Sequence, residues 1–349
     1  MTQRHKIVEE DLLNILQEKL DWQSLQGQKI LVTGASGFIG GYIVDLLALL
    51  NEQTNIKPIS LYVLARSEQK LTDRFPYLIN KPWFKPLIQD VNDPIAWTPD
   101  LALDLIIHAA SDASPRYYLT QPVETIKTNT LGTLNLLELA KHHNAQFVFL
   151  SSGAIYGNND DNELAETDYG SVDPLHPSAC YSESKRLGES LCMSYFRQYD
   201  VPIMIARISH TYGPTLRLDD GRVFTDFMAD VLAGRDIVIQ GDGLDSRPFC
   251  YISDLIRGIF YMLLRGEFGH AYNIGVDEEL TIEQLARLIK RVSDRDDCQI
   301  VVKNNQKNKT LRTAGHFNIK KLQQLGWNTL VSPEIGFSRM FLYFNESLN

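Results

Sequence analysis

The chain has 349 residues, of which 44% are hydrophobic and 22% are charged, and its formal net charge is −9. This length predicts one large domain or two closely joined domains with a substantial core. The acidic balance, without a cluster rich in Lys and Arg, excludes duplex nucleic acid as an expected partner. The four cysteines lack disulfide or metal-ligand spacing, and the polar residues 1–10 lack a secretory signal. We therefore expect a cytoplasmic protein with reduced thiols, no bound metal and no membrane span.

The predicted elements begin with a helix and continue as an alternation of strands and helices. Residues 9–22 carry apolar side chains at helical spacing, which predicts a helix packed on a neighbouring surface. From Lys29 onward, apolar strands alternate with helical segments, a pattern typical of a parallel sheet covered on both faces. The predicted strands are 29–33, 59–65, 86–90, 103–108, 146–151 and 202–207, and the predicted helices between them include 43–50, 123–143 and 181–199.

The turn after the first strand is rich in glycine and follows a G-x-x-G-x-x-G pattern. Glycines allow a tight turn and close approach of the backbone to a pyrophosphate, and the helix that follows supplies N–H donors. Because a strand precedes this turn and a helix follows it, we favour a dinucleotide cradle over a purely structural turn. The expected cofactor contacts are Gly34, Ser36, Gly37, Phe38, Ile39 and Gly40.

Three further strand ends supply candidate cofactor contacts, because ligands of open α/β sheets bind at the carboxyl ends of the strands. An arginine after the second strand suits a 2′-phosphate and favours NADP over NAD, unless it stacks on adenine or faces solvent. The third strand ends where adenine is expected, and the fourth ends in small residues that let a cofactor pass closely. The residues concerned are Arg66, Asp90, Val91, Ala109, Ala110 and Ser111.

Tyr181 and Lys185 lie four residues apart, which on a helix places the phenol and the ammonium group on one face. A neighbouring cation favours the phenolate, so we expect the pKa of Tyr181 to lie below its usual value of about 10. Beside a nicotinamide, such a phenol serves hydride transfer at an alcohol carbon. Ser151 and Ser152 end the fifth strand, where a hydroxyl can bind a substrate oxygen or can simply form a turn.

These elements together predict an α/β fold: a Rossmann-type doubly wound parallel sheet with a smaller α/β C-terminal substrate lobe. Beyond Arg207, Gly, Asp and Arg become dense over residues 213–247, and helices are predicted at 254–264 and 281–292. We expect an N-terminal helical extension at 1–26, an NAD(P)-binding domain at 27–207 and a substrate-binding lobe at 208–349. The chain is expected to recross between the lobes.

Several ordered motifs resemble the extended short-chain dehydrogenase/reductases, and among them the nucleotide-sugar epimerases and dehydratases, over about residues 27–292. Three segments, 112–116, 127–130 and 218–223, are most similar to UDP-glucuronate decarboxylases and their relatives. The motifs that carry the wider resemblance are residues 33–40, 108–111, 151–157, 181–185 and 207–214.

The resemblance implies a role for individual residues. Tyr181 is the implied acid/base, and Lys185 lowers its pKa and holds the nicotinamide ribose. Asn129 supports the geometry of the active-site helix, and Asn129 and Ser151 are also implied cofactor contacts. A nucleotide-diphosphate sugar is the implied substrate, and helices 123–143 and 181–199 are expected to pair in a homodimer. The implied substrate contacts, whose arginines could alternatively form surface ion pairs, are Ser152, His210, Arg217, Arg222, Arg247 and Tyr251.

Two departures from the family pattern narrow the expected reaction. Gly153 and Ala154 stand where dehydratases carry Asp-Glu and decarboxylases carry Ser-Glu, and neither can act as an acid or a base. His210 replaces the usual Asn, and it can donate to a phosphate or titrate near the sugar. We therefore expect a 4-epimerase that works through a 4-keto sugar. The alternatives are an NADPH-dependent 4-ketosugar reductase, a dehydratase or decarboxylase with an atypical acid/base set, and a dinucleotide sensor without turnover.

Overall fold

The computed structural model describes residues 3–53, 57–95, 102–158, 163–303 and 316–348. Its strands are β1 Lys29–Thr33, β2 Ser60–Ala65, β3 Phe84–Ile88, β4 Leu105–His108, β5 Gln146–Ser152, β6 Glu163–Leu164, β7 Ile203–Ile208, β8 His210–Tyr212, β9 Ile237–Gln240, β10 Ser246–Arg247, β11 Phe249–Tyr251, β12 His270–Ile274, β13 Leu280–Thr281, β14 Ile300–Lys303 and β15 His316–Phe317.

The helices alternate with these strands along the chain. They are α1 Lys6–Leu16, α2 Phe38–Gln53, α3 Glu68–Arg74, α4 Pro115–Thr120, α5 Pro122–Lys127, α6 Thr133–His143, α7 Ala179–Tyr199, α8 Val223–Leu232, α9 Ile252–Arg265, α10 Ile282–Val292, α11 Lys320–Gln323 and α12 Pro333–Leu348. Across the described ranges, none of the helices is long and apolar enough to cross a bilayer.

A parallel sheet of seven strands lies at the centre, in the order β12-β7-β5-β4-β1-β2-β3. From β1 the chain builds outward to one side through β2 and β3, and then to the other side through β4, β5 and β7. The strand order therefore reverses between β1 and β4, where Thr33 lies opposite His108. Such a switch point opens a crevice at the carboxyl ends of the strands. This architecture confirms the predicted Rossmann-type α/β fold.

Two of the predicted elements differ from the structure in instructive ways. Strand β3 begins two residues before the predicted 86–90, because it is an edge strand that carries Pro86 and is only partly buried. The predicted helix 123–143 is divided into α5 and α6 by a π-helical turn over Thr128–Gly132. This turn contains Asn129, so the interruption lies beside a predicted site residue.

Strand β12 returns to the central sheet after the chain has left it, pairing with β7 from His270 to Ile274. Smaller pairs of strands lie outside the central sheet. Strands β8 and β11 pair in parallel, as do β9 and β14, whereas β10 and β13 pair antiparallel. The sheet thus takes a strand from beyond residue 207. The domain limits given by the sequence stay predictions. Any division of the chain has to account for β12, which crosses back into the central sheet.

The N-terminal helix α1 packs on the body of the protein through Leu12 and Ile15, which are fully buried. Its Asp11 carboxylate accepts hydrogen bonds from Tyr251 Oη at 2.8 Å and Tyr42 Oη at 3.4 Å, and it pairs with Arg339 at 3.0 Å. Helix α1 therefore joins α2, the end of β11 and α12. It ends at Leu16, earlier than the predicted residue 22.

Candidate active site

The glycine turn between β1 and α2 leaves no room for side chains. Gly34 has φ +63°, and a Cβ there would lie 2.8 Å from the main chain of Ala109 and Ala110. A Cβ on Gly40 would collide with the Gly34 carbonyl oxygen, and the amide of Gly37 donates to that oxygen at 2.9 Å. The open backbone and the free amides at the helix start suit a pyrophosphate. The other predicted contacts of this turn are half-buried: Ser36, Phe38 and Ile39.

The end of β4 lies directly against this turn. The amide of Ala110 donates to Thr33 Oγ1 at 3.1 Å, which holds the two strand ends together. Ser111 Oγ is buried and has no hydrogen-bond partner among the described residues. A buried hydroxyl in that state is costly unless a ligand or water satisfies it. The cradle and this free hydroxyl fit a dinucleotide.

The end of β3 offers less to a cofactor than the sequence suggested. The Asp90 carboxylate is half-buried and accepts the amide of Asn92 at 2.9 Å. Val91 is buried, and its side chain lies against Gly132 in the π-helical turn. Asp90 is therefore the more accessible of the two predicted contacts.

Arg66, on which the preference for NADP rested, forms an ion pair across the crevice. Its guanidinium lies 3.5 Å from Asp112 Oδ1, and its side chain is 61% exposed. Such an exposed pair contributes at most about 1 kcal/mol, so it positions Arg66 only weakly. An exposed pair of this strength can open for an anion, so the position of Arg66 is compatible with both NAD and NADP.

Tyr181 lies in the first turn of α7 and hydrogen-bonds to the side chain of Ser152. Its ring stacks on Tyr118, with ring centroids 5.3 Å apart and an interplanar angle of 18°. Burial raises the pKa of Tyr181 above its usual value, and the Ser152 hydrogen bond and the charge of Arg222 oppose this only in part, so the expected lowering of this pKa is wrong. The site therefore brings the predicted acid/base and the predicted sugar-oxygen ligand into direct contact.

Lys185 is oriented differently from the expectation. Its ammonium group is buried, donates to the carbonyl oxygen of Leu150 at 2.7 Å and lies 4.9 Å from the Phe149 ring centroid. Burial lowers the pKa of Lys185 to about 7, opposed by Cys192 and Glu189. A buried ammonium needs an acceptor, and β5 provides one. The expected lowering of the Tyr181 pKa by Lys185 is thus not realised in this geometry; Ser152 and Arg222 act on it instead.

The two serines that end β5 have different surroundings. Ser151 Oγ donates to Glu189 Oε1 at 2.6 Å, and Glu189 forms a 2.8 Å ion pair with Arg207. Ser152 Oγ instead accepts the amide of Ala154 at 3.2 Å and faces Tyr181. Because successive residues of a strand point to opposite faces of the sheet, the two serines have different partners. Ser151, which the sequence predicts as a cofactor contact, is instead bound to the buried ion pair between Glu189 and Arg207.

Asn129 connects the π-helical turn to α7. Its amide nitrogen donates to Ser184 Oγ at 2.9 Å, one residue before Lys185, while its Oδ1 is buried without a partner among the described residues. This bond lies between the helix that carries Asn129 and the helix that carries the Tyr–Lys pair. The contact matches the implied supporting role of Asn129, and its role as a cofactor contact stays a prediction.

A cationic cluster lies next to Tyr181. Burial, Arg247 and Arg222 lower the pKa of His210 to about 3, so its imidazole is neutral near pH 7 and does not titrate there. Arg222 contacts Asp220 at 3.0 Å and the Ala113 carbonyl oxygen at 3.3 Å. The cluster can offer guanidinium and imidazole N–H donors to an anion. The alternative of His210 as a titrating group near neutral pH is not supported by this environment.

Two predicted substrate contacts lie apart from this cluster. Arg217 is 62% exposed and forms a two-point pair with Asp219, each contact at 2.8 Å. Tyr251 is buried against Tyr212, and its hydroxyl donates to Asp11 of α1. Tyr251 directly precedes α9 and is only 1% exposed, so its side chain belongs to the core and not to a ligand surface. The prediction of Tyr251 as a substrate contact does not fit this position.

The sequence did not single out Tyr118 or Asp220 as site residues. Tyr118 lies on α4 against Tyr181, and burial raises its pKa to about 12. Asp220 is buried, pairs with Arg222 and raises the pKa of Tyr118. Tyr118 lies two residues after the segment 112–116, whose resemblance to decarboxylases was the nearest signal for it. Asp220 lies inside the 218–223 segment that carried the same resemblance.

Comparisons with known proteins agree with this geometry. Residues 30–275 match the model of the NAD dependent epimerase/dehydratase family. UDP-glucuronic acid decarboxylase 1 of Arabidopsis thaliana is 36% identical over 92% of this chain and 71% of that protein. A UDP-glucose 4-epimerase of Thermotoga maritima, solved with UDP-glucose, is 25% identical with a TM-score of 0.78, covering 92% of this chain and 100% of that one. A dTDP-glucose 4,6-dehydratase of Streptomyces venezuelae, solved with NAD, is 25% identical with a TM-score of 0.76, covering 91% and 97%.

Proposed function

Because the chain belongs to the NAD-dependent epimerase/dehydratase family, we propose that it is a nucleotide-sugar 4-epimerase acting through a 4-keto sugar. The observation that carries the proposal is the contact between Tyr181 and Ser152, followed directly by Gly153 and Ala154. The pair supplies one acid/base and one ligand for a sugar oxygen. Dehydration and decarboxylation require further acid/base groups, and the two residues after Ser152 supply none.

NAD, when bound, accepts a hydride from a sugar carbon and returns it. The glycine turn and the ends of β1 and β4 would hold its pyrophosphate, with Ser111 among the donors. Lys185, whose ammonium group has donors besides the one bound to the Leu150 carbonyl oxygen, would contact the nicotinamide ribose. Ser152 orients the oxygen on the reacting carbon, and Tyr181 Oη removes its proton and later restores it. The Ser152 hydrogen bond and the charge of Arg222 favour the phenolate that this step requires.

His210, Arg222 and Arg247 are the proposed contacts for the nucleotide diphosphate. Two guanidinium groups next to a neutral imidazole give N–H donors and positive charge on one side of Tyr181. Charge-assisted bonds to phosphate are about twice as strong as neutral ones. Arg217, whose guanidinium is paired with Asp219, would have to leave that carboxylate to take part.

A UDP-glucuronate decarboxylase is the second candidate, favoured by the 36% identity with the plant enzyme. Ala154 argues against this candidate, because the sequence resemblance places it where decarboxylases carry a glutamate. A reductase that consumes NADPH is the runner-up given by the sequence, and the matched family model, that of NAD dependent enzymes, favours NAD over the NADPH that a reductase would consume. These reactions differ in their products, so one experiment separates them.

The test is incubation of the purified protein with NAD and UDP-glucose, UDP-N-acetylglucosamine or UDP-glucuronate, and separately with NADPH and a UDP-4-keto-6-deoxy sugar, followed by chromatography of the sugar products. We expect interconversion of the C4 epimers without net change in NADH. Tyr181→Phe should bind NAD normally and lose about 10²- to 10⁴-fold in kcat, the usual contribution of an acid/base. Release of carbon dioxide, a 4-keto-6-deoxy product or net consumption of NADPH would each contradict the proposal.

We also propose that the protein forms a homodimer through α5, α6 and α7. These helices carry apolar side chains that remain between 36% and 59% exposed in the single chain. Five such residues on neighbouring helices make a larger apolar surface than single scattered side chains would. They are Val123, Ile126, Leu131, Leu134 and Leu187.

A further inference from the structure

Phe317 fills the space behind the residue that follows Ser152. It lies in β15, which pairs with β6, and it is only 4% exposed. A Cβ on Gly153 would lie 2.5 Å from Cζ and 2.8 Å from Cε1 of this ring. The ring also packs edge-on against Tyr156, with centroids 5.7 Å apart. Since real Cβ atoms do not approach so closely, no side chain fits at residue 153 unless the ring moves.

A second glycine confirms how tightly the ring is held. A Cβ on Gly275, just after β12, would lie 3.2 Å from Cδ2 of Phe317. The ring is therefore enclosed by residues that follow β5 and β12, with Tyr156 on a further side. Its position is set by several parts of the fold at once and not by the short strand that carries it.

The two residues that follow Ser152 carry no charge. Ser152 faces Tyr181, and the next two residues contribute only a glycine backbone and the methyl group of Ala154. The arginines near the site, Arg222 and Arg247, surround His210 instead. A carboxylate placed against the wall formed by Gly153, Ala154 and Phe317 would lose its hydration without gaining a donor, which is unfavourable.

We propose that Phe317 is a specificity-determining residue. By filling the space behind Gly153, the ring makes this wall apolar. The site therefore takes a nucleotide sugar in which the carbon next to the reacting carbon bears an uncharged group, –CH₂OH or –CH₃. The proposal deepens the proposed function and rests on it, because Ser152 and Tyr181 define the reacting carbon. It places uronic acids outside the substrate range, although decarboxylases of UDP-glucuronate are among the relatives.

The first experiment compares UDP-glucose, UDP-6-deoxyglucose and UDP-glucuronate, which share the nucleotide, the diphosphate and the configuration of the ring. We expect kcat/KM for UDP-glucuronate to be about 100-fold lower than for the two uncharged sugars. Equal or better turnover of UDP-glucuronate would overturn the inference and leave the 4-epimerase proposal standing. If none of the three is turned over, the proposed function fails, and calorimetric Kd values for the same sugars still test the inference by their ratio.

The second experiment tests the contact itself. Phe317→Ala should narrow the preference for UDP-glucose over UDP-glucuronate at least tenfold, because water can then enter the vacated space and hydrate a carboxylate. A ratio of two substrates is insensitive to a general loss of active protein, so a merely structural role for the ring would leave it unchanged. An unchanged ratio therefore contradicts the proposal.

A double substitution completes the test. Gly153→Ser should reduce kcat/KM for UDP-glucose at least tenfold in the wild-type background, and less in the Phe317→Ala background, because the ring that it collides with is gone. The NAD affinity and the melting temperature of each variant show whether it folds. Equal losses in the two backgrounds would mean that ring and residue 153 do not compete for space, which would overturn the inference.

Discussion

At the scale of single residues, the two serines at the end of β5 provide a matched pair. Ser152→Ala removes a hydroxyl that contacts Tyr181, so we expect kcat to fall about 10- to 100-fold, equivalent to a lost hydrogen bond to a charged group. Ser151→Ala removes the donor to Glu189 and should lower the free energy of unfolding by about 1–3 kcal/mol, with kcat changed less than threefold. Steady-state kinetics and urea unfolding measure both. A reversal of the two effects would show that the wrong serine has been assigned to the site.

Single residues also show how far a sequence predicts a site. The i, i+4 spacing was sufficient to place Tyr181 and Lys185 on one helix, because that spacing is local. The direction of the Lys185 ammonium was not predictable, since its acceptor is a carbonyl of β5, 35 residues earlier in the chain. Tyr251 matched a motif in sequence, yet its hydroxyl is bound by Asp11, 240 residues away. Contacts between distant segments decide where such side chains point.

At the scale of elements, helix α1 holds a carboxylate that should make its packing sensitive to pH. Burial raises the pKa of Asp11 to about 6, against the opposing influence of Arg339, Tyr251 and Tyr42. Because the pKa is higher in the folded than in the unfolded state, protonation of Asp11 stabilises the folded protein. This stabilisation is fully present below about pH 4 and is lost as the pH rises through 6. The ionised carboxylate is thus the less favourable form in this position.

Asp11→Asn tests this because the amide keeps an acceptor for the tyrosines and does not titrate. The free energy of unfolding of the variant, relative to the wild type, should rise between pH 4 and pH 8 by up to about 3 kcal/mol, the value of a shift of about two units. Urea titrations at the two pH values measure it. Because other titrating groups are common to both proteins, a difference that stays constant with pH would show that Asp11 is not perturbed.

The elements themselves were predictable to different degrees. The limits of β1 were predicted to the residue, since a short apolar run bounded by a lysine and a glycine turn has few alternatives. The limits of β3 were displaced because its exposed edge carries little hydrophobic pattern. The π-helical turn at Thr128–Gly132 was missed, because one extra residue shifts the apolar face only once, and the short helices on either side show too few turns to reveal the shift.

At the scale of the whole molecule, the proposed dimer can be tested on one exposed leucine. Leu187 on α7 is 49% exposed, and Leu187→Glu would place a charge within the apolar surface of the helices. We expect light scattering to give a dimer for the wild type and a monomer for this variant, because an unpaired charge buried in an interface is unfavourable. Val302→Glu, on the edge strand β14 and 50% exposed, should remain dimeric. A monomeric wild type would contradict the prediction.

The large-scale organisation was predictable wherever it follows chain order. Strands that alternate with helices gave the doubly wound sheet, and the change in composition after Arg207 indicated a different kind of segment. The grouping of His210, Arg222 and Arg247 near Tyr181 depends on how β8, the start of α8 and β10 meet, which no local pattern encodes. The family resemblance implied that these three residues contact the substrate. It also implied the same for Tyr251, whose buried position does not fit that assignment.

The return of β12 to the central sheet has a consequence for the synthesis of the protein. Until residue 274 has left the ribosome, β7 presents a bare row of amides and carbonyls along Ile203–Ile208. Such an edge is a template for pairing with other chains, and it remains open while some 65 further residues are translated. A fragment that stops at residue 207 would keep this edge permanently, so the nucleotide-binding half is not a unit that can be cut out and expressed alone without a tendency to aggregate.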